Sequence, residues 1–390
     1  MKNKERKSAR RYDTPNRCRA FTDRVYSGVN KDKEGLYKET FASEKEFYPQ
    51  KPKYNIYFGE LHGHSNMSDG RPSMDEYFKN IRDNAQLDFA ALTDHDHGGI
   101  ANAELYGEKW ETIKAKVKEY NEPGKFSTIL GYERDSYPWY NNMVVYYKSH
   151  DADMLRGSID GEITKEELEA ALTRDDLLLV PHDTYHLEAG CDFNSIDPTL
   201  YTTMIEIYSR GDSAEYFDNP YNETDFQCEG GFWQDALKRG AKMGCLAASD
   251  DHACMNGLVA EEYNNIWKYP GITAVLAEEN TTEAIFDALK ARRCYGFMGG
   301  RMWIDFRING HYMGEEFSDS GERSIYINVK ADADIKRITL VKNCRNYIMM
   351  RRCEQLIFDR MENETDFYYL RVELADGRCG WTSPIWINNA

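Results

Sequence analysis

Long apolar runs are missing from this sequence, and their absence argues against a membrane protein. The longest, such as the run at 177–181, are far shorter than the roughly 18 apolar residues that a membrane-spanning helix needs. The basic N-terminus, MKNKERKSARR, also lacks the apolar segment of a secretory signal. We therefore expect a cytoplasmic chain with no membrane partner.

The sequence also has no cluster of cysteines and no excess of positive charge. The nine cysteines are scattered and odd in number, which fits free thiols in a reducing compartment better than a disulfide framework. Lys and Arg total 49 against 66 Asp and Glu, so the formal net charge is −17. A charge of this sign repels a phosphate backbone at long range and argues against a nucleic-acid partner.

Several common catalytic motifs are absent as well. The sequence contains no Walker A loop, no G-x-S-x-G elbow, no H-E-x-x-H helix and no C-x-x-C pair. These absences argue against phosphate-loop enzymes, serine hydrolases of the elbow type and zinc peptidases built on one helix. The chemistry must then be sought in other polar residues.

Three regions with different patterns make up the 390 residues. Residues 1–50 are highly charged and not periodic, which predicts a surface or partly disordered arm. In residues 51–300, strand-like runs alternate with helical stretches; this implies parallel pairing and predicts a TIM-like α/β barrel of about seven units. Residues 301–390 alternate in steps of two and predict a small all-β, sandwich-like extension.

Short local motifs mark the ends of individual elements. One capping box begins at Ser73 and another at Thr164, and each predicts the start of a helix. A further helix is predicted over 283–292. Asn309-Gly310 separates two alternating runs, which is typical of a tight turn.

Histidines and carboxylates stand at the ends of the strand-like runs. His62 and His64 form a His-x-His pair, and on a strand both rings would face the same side. Asp69 follows in the next loop. Further along the chain, the residues at or just after the end of an apolar run are His95, Glu133, His182, Asp250 and His252. Because barrel active sites assemble at the C-terminal ends of strands, we expect these side chains to converge.

The types of these residues indicate their chemistry. Imidazole and carboxylate without clustered thiolate favour Zn, Mn or Fe as the bound ion. One bridging carboxylate with several histidines is typical of paired divalent ions, which activate water for hydrolysis. The pattern therefore predicts a metal-dependent hydrolase.

Two segments resemble a known superfamily. HGHSNMSDG at 62–70 and LDFAALTDHD at 87–96 resemble motifs I and II of the PHP (polymerase and histidinol phosphatase) superfamily, and later motifs follow in order at 133, 181–183 and 250–252. Sequences further along, including EIYSRGDSAE and the terminal RVELADGRCGWTSPIWI, resemble a PHP-like family of unknown function with a C-terminal β-rich extension.

The resemblance implies a distorted (β/α)₇ barrel that holds two or three divalent ions. One ion would be held by His62, His64, Glu133 and Asp250. A second would share Glu133 and take His182, and a third would be held by Asp69, His95 and His252. The superfamily usually supplies another histidine to the second ion, where this sequence has Asn141 and Asn142.

Known PHP members are mostly phosphoesterases, so the resemblance predicts hydrolysis of a small phosphorylated metabolite or nucleotide by a metal-bridging hydroxide. The predicted catalytic residues are Glu133, Asp250, His252 and Arg210. Arg210 is a candidate phosphate clamp, with an ion pair to Glu206 or Glu215 as the equal alternative. An amidohydrolase-like cleavage of C–N or C–O bonds and a non-catalytic interaction module remain open, as does a homo-oligomer.

Overall fold

The computed structural model describes residues 52–96, 105–135, 140, 142–155, 163–187, 190–209, 211–258 and 269–390. The predicted arm at 1–50 lies outside these residues, as do Asn141 and Arg210. Within the described part of the chain, no helix combines the length and the hydropathy needed to cross a bilayer.

The first part of the described chain is mixed α/β. Its strands are β1 (Asn55–Glu60), β2 (Phe89–Leu92), β3 (Ser127–Asp135), β4 (Asn142–Tyr147), β5 (Leu177–Pro181), β6 (Met204–Ser209), β7 (Asp212–Ser213), β8 (Gly244–Ala247), β9 (Gly271–Ala277) and β10 (Cys294–Met298). Its helices are α1 (Met74–Lys79), α2 (Glu108–Tyr120), α3 (Lys165–Leu172), α4 (Trp233–Lys238) and α5 (Thr282–Lys290), with a π-helical turn at Asn80–Asn84 and a 3₁₀ turn at Pro198–Leu200.

Both predicted capping boxes form. The Ser73 and Thr164 side chains accept hydrogen bonds from the backbone N–H three residues on, and the glutamates there bond back to the cap residues. Helix α5 occupies most of the predicted range and packs Ile285, Phe286 and Leu289 fully into the core. The two capped helices therefore begin where the local sequence predicts, and α5 buries the predicted apolar face.

Parallel pairing holds for only part of the first region. Strands β1, β2 and β3 pair in parallel, and β6 pairs in parallel with β8 in a separate sheet. Strand β4, however, runs antiparallel to both β3 and β5, which contradicts the expectation. The segment between β3 and β4 is six residues long, whereas a parallel crossover needs about a dozen or more.

The hydrogen-bonded strands do not form one seven-stranded ring in the residues that the structure describes. Strand β5 ends the large sheet, while β6 lies in a three-stranded sheet with β7 and β8. Strand β9 runs antiparallel to both β1 and β10. The (β/α)₇ barrel therefore stays a prediction, and the architecture established here is mixed α/β with a large sheet and few helices.

Strands alone make up the regular structure described after β10. They are β11 (Met302–Ile308), β12 (His311–Tyr312), β13 (Glu316–Ser318), β14 (Arg323–Ala331), β15 (Ile335–Lys342), β16 (Arg345–Met350), β17 (Glu354–Asp359), β18 (Thr365–Leu374), β19 (Cys379–Thr382) and β20 (Ile385–Asn388). The predicted turn joins β11 to β12 as a hairpin, with positive φ at Asn309 and Gly310.

The C-terminal strands belong to two sheets. One has the order β12-β11-β14-β17, and the other includes β15, β16, β18, β19 and β20. The second sheet continues into the first region, because β19 pairs antiparallel with β10. The domain boundary at 300 thus remains a prediction, and the two regions share a sheet.

Candidate metal centre

The polar residues predicted from the strand ends lie close together in the structure. His62 and His64 lie just after β1 rather than on it, with Gly63 between them bridged to Asp251. Glu133 lies within β3 rather than at or after its end, because that strand extends to Asp135. The positions of the others, His182 directly after β5 and Asp250 three residues after β8, agree with the predicted strand ends.

Four side chains surround one point. Nε2 of His62 lies 3.1 Å from Oε2 of Glu133 and 3.6 Å from Oδ1 of Asp250. Nε2 of His64 lies 3.2 Å and 2.9 Å from the same two oxygens. Four ligands bound ~2.1 Å from one ion in a tetrahedron are ~3.4 Å apart, so this spacing fits a divalent ion such as Zn²⁺.

A second group of donors lies on the other side of His64. Oδ1 of Asp69 lies 3.2 Å from Nε2 of His252, 3.7 Å from Nε2 of His95 and 3.9 Å from Nδ1 of His64. The donor atoms of these four residues all lie within 4.8 Å of one another. Nδ1 of His252 lies 3.2 Å from the Asp250 carbonyl, to which it donates, so its Nε2 is left to face Asp69.

Glu133 connects the donor groups through both of its oxygens. Its Oε2 faces His62, His64 and His95, and the distance to Nδ1 of His95 is 3.2 Å. Its Oε1 lies 2.5 Å from Nε2 of His182. This arrangement is what a carboxylate that bridges two ions requires. His182 also belongs to two further donor groups, one with His62 and Glu206 and one with Asp183 and Asp250.

Burial and charge at the cluster also suit a cation. Burial lowers the pKa of the His64 and His182 rings, but nearby carboxylates outweigh burial and raise each pKa to about 9. Asp250 and Glu133 act on His64, and Glu133 and Asp183 act on His182. For Glu133 the two effects have opposite signs. Burial raises the pKa of its carboxyl group, but the surrounding imidazole rings outweigh burial and bring this pKa well below its usual range. Positive charge is therefore strongly favoured here, and divalent ions can supply it. Nδ1 of His64 and Nδ1 of His182 are buried without a hydrogen-bond partner among the described residues.

Three further carboxylates hold the loops that carry the donors. Asp94 accepts hydrogen bonds from the backbone and hydroxyl groups of Ser65 and Ser68. Asp251 accepts from the backbone N–H groups of residues 253 and 255. Glu60 accepts from the backbone N–H groups of His62 and Ser249, and so ties the end of β1 to the end of β8. Asp94 and Asp251 thus hold the backbone of the loops that carry the donors.

Two buried carboxylates at the site were not predicted as part of it. Glu206 in β6 lies 3.0 Å from Nδ1 of His62, and burial raises the pKa of Glu60 to about 8. Each is a charged residue within an otherwise apolar strand-like run. A buried charge is unfavourable without a partner, so this pattern was the signal that could have identified them.

Two further points of the sequence concern Arg210 and residues 141–142, where the superfamily usually has another histidine. Glu206 contacts His62, and Glu215 accepts hydrogen bonds from Arg371, so both suggested ion-pair partners have other contacts. Arg210 itself and Asn141 lie outside the described residues. The Asn142 backbone carbonyl accepts from the His182 N–H at 3.3 Å.

Comparisons with known proteins give similarities at low identity. A family described as a protein of unknown function (DUF3604) matches residues 223–328. An uncharacterized protein of Chlamydia pneumoniae is 25% identical over 366 residues, covering 86% of this chain and 57% of that protein. One of Chlamydia trachomatis is 25% identical over 381 residues, covering 90% and 60%. The chain thus spans about three fifths of the length of these curated relatives.

Among solved structures, a two-domain protein from Bacteroides vulgatus is similar at 13% identity, with a TM-score of 0.45. The similarity covers 86% of this chain and 97% of that one. That protein is described as containing a predicted PHP-like metal-dependent phosphoesterase.

Proposed function

We propose that this protein is a metal-dependent hydrolase, and more specifically a phosphoesterase that acts on a small phosphorylated metabolite or nucleotide. The observation that carries the proposal is the position of Glu133, whose two oxygens face four imidazole rings from three separate segments. The PHP-like motifs of the sequence favour phosphoester hydrolysis over cleavage of C–N or C–O bonds.

We assign the residues to ions as the PHP-like motifs imply. His62, His64, Glu133 and Asp250 would hold one, and His182 would hold a second with the other oxygen of Glu133. Asp69, His95 and His252 would hold a third. Bound ions of this kind activate water and neutralise charge that develops on a phosphoryl group.

Exposure to solvent differs among the donor residues. The side chains of His62, His64 and His182 are 0%, 0% and 1% exposed, whereas those of Asp69 and His252 are 31% and 21% exposed. Substrate would therefore reach the ions past Asp69 and His252. In this proposal, Arg210 contacts the phosphate.

The test measures metal content and hydrolysis on the same preparation. Elemental analysis of the purified chain should find two or three equivalents of Zn, Mn or Fe. Phosphate release should be measured on phosphomonoesters, nucleotides and diesters, and should disappear after chelation and return when metal is restored. His64→Ala should lose both metal and activity, whereas Glu283→Gln, an exposed change on α5, should alter neither.

Two results would contradict the proposal. A metal-loaded chain that releases no phosphate from any substrate but hydrolyses amides or lactones would favour the amidohydrolase-like alternative. A folded chain that retains no metal would favour a non-catalytic role.

A further inference from the structure

Glu206 is a fully buried carboxylate that lies beside the candidate metal ligands. It lies in the middle of β6, in which all six residues are buried. The Oε2 atom of Glu206 lies 3.0 Å from Nδ1 of His62, and its Oε1 lies 3.4 Å from the same nitrogen. Both side chains are 0% exposed. This contact therefore exists without competition from bulk water.

The other nitrogen of the same ring faces the donor group. Nε2 of His62 lies 3.1 Å from Oε2 of Glu133 and 3.6 Å from Oδ1 of Asp250. A neutral imidazole carries one N–H, and an ionised carboxylate can only accept a hydrogen bond. Glu206 therefore favours the tautomer in which Nδ1 donates to it, which leaves the lone pair of Nε2 directed toward Glu133 and Asp250.

We propose that Glu206 is a positioning residue that fixes the orientation and tautomer of His62 for metal binding. This role rests on the proposed function, because it concerns the ion that His62, His64, Glu133 and Asp250 would hold. A carboxylate that accepts from the far side of a ligating ring also makes the ring a stronger donor. Glu206 would thus raise metal affinity without touching the ion.

A direct role for Glu206 as a ligand requires a different arrangement. Glu206, His62 and His182 lie near enough to form a donor group of their own. In that case Nδ1 of His62 would need its lone pair, and the proton would lie on Nε2. That proton would face Glu133 and Asp250, and His62 would be lost from the four-residue group. The positioning role keeps His62 in the four-residue group, whose donor atoms all lie within 4.8 Å of one another. The 3.0 Å contact between Glu206 and His62 is compatible with the hydrogen bond that this role requires.

The experiment titrates Co²⁺ into the chelator-treated full chain against a competing chromophoric chelator. It compares wild type with Glu206→Gln and Glu206→Ala. Ile207→Val is the matched control, because it trims a buried neighbour on the same strand without changing the contact to His62. Thermal unfolding of each metal-free protein shows whether the variant is folded, and the Co²⁺ absorption spectrum reports the ligand environment.

We expect Glu206→Ala to weaken the binding of one ion by about 10- to 100-fold, with the same number of ions bound at saturation. Glu206→Gln keeps the size and an accepting oxygen, so we expect a smaller loss, up to about tenfold. The Gln variant also serves the test if the Ala variant does not fold. Ile207→Val should bind Co²⁺ as wild type does.

Two outcomes overturn the positioning role. Wild-type affinity in both Glu206 variants would show that the contact does not position His62. Loss of one whole equivalent at saturation, with the remaining ions unchanged, would make Glu206 a ligand. If the wild-type chain itself bound no Co²⁺, the proposed function would fail, and the role of Glu206 with it.

Discussion

At the scale of single residues, the candidate centre depends on side chains that each contact several others. Glu133 contacts four rings, and His64 lies between two donor groups. Asp183 and Asp250 both have positive φ, a region that aspartate tolerates better than most residues. Asp183 follows β5 and Asp250 follows β8, so the backbone changes direction at both residues close to the donor groups.

Replacing Glu133 tests its place between the donor groups. Glu133→Gln removes one charge and leaves an amide, which is a poorer bridging ligand. We expect the chain to bind at least one ion fewer and hydrolysis to fall by at least about 100-fold. Elemental analysis and phosphate release would measure this. Full metal content in a folded variant would show that Glu133 does not bridge.

The residue types at the centre could be predicted from the sequence, but their contacts could not. All eight predicted metal ligands lie in or beside the donor groups. Glu206 was missed as a partner of His62, because 144 residues separate the two and no local pattern connects them. Arg210 stays a prediction.

At the scale of helices and strands, local signals were reliable and strand direction was not. Capping boxes act over three residues, so Ser73 and Thr164 mark α1 and α3 correctly. The direction of β4 depends on the length of the segment before it and on which neighbours it finds. Alternation of strands and helices alone predicted the wrong pairing there.

The capping box of α3 gives a stability prediction. Thr164→Ala removes the hydroxyl that accepts from the Glu167 N–H, and we expect it to lower the free energy of unfolding by about 1 kcal/mol. Urea denaturation would measure the change. Thr164→Ser keeps the hydroxyl and should remain close to wild type, and an equal loss in both variants would contradict the capping role.

A buried aspartate at the start of β18 gives a pH prediction. Burial raises the pKa of Asp366, but hydrogen bonds from the Asn363 amide, the Glu362 N–H and Arg323 outweigh it and lower the pKa to about 2. The folded-state pKa lies below the unfolded value of about 3.9, so the ionised carboxylate stabilises the fold above that pH.

This contribution should be lost as the pH falls from about 4 to about 2, and it amounts to about 2 kcal/mol. Acid titration of the unfolding free energy of wild type and Asp366→Asn would measure it. The variant should be less stable at neutral pH and should lose less stability on acidification. Parallel acid curves would contradict the assignment.

At the scale of the whole molecule, a buried charged network links the two regions. Glu215, after β7, accepts hydrogen bonds from Tyr369 at 2.6 Å, Trp381 at 2.7 Å and the Arg371 Nε at 2.7 Å. Its partners lie on β18 and β19. Together with the pairing of β10 and β19, this network joins the β-rich region to the part of the chain that carries the donors.

Breaking this network should destabilise both regions at once. Glu215→Gln leaves the Arg371 guanidinium buried without its carboxylate, so we expect a loss of about 3–5 kcal/mol in unfolding free energy. Chemical denaturation would measure it, with Glu215→Gln/Arg371→Met as the matched double variant that removes both charges. The double variant should recover part of the loss, and no recovery would show that the pair is not coupled.

The sequence by itself determined the kinds of donor, their order along the chain, the helix starts and the turn at Asn309-Gly310. These depend on residue chemistry and on interactions over a few residues. The tertiary structure decided which oxygen of Glu133 faces which ring, that Glu206 meets His62, that β4 runs antiparallel and that the two regions share a sheet. These contacts join residues far apart in the chain, and only the packing of the folded backbone brings them within hydrogen-bond distance.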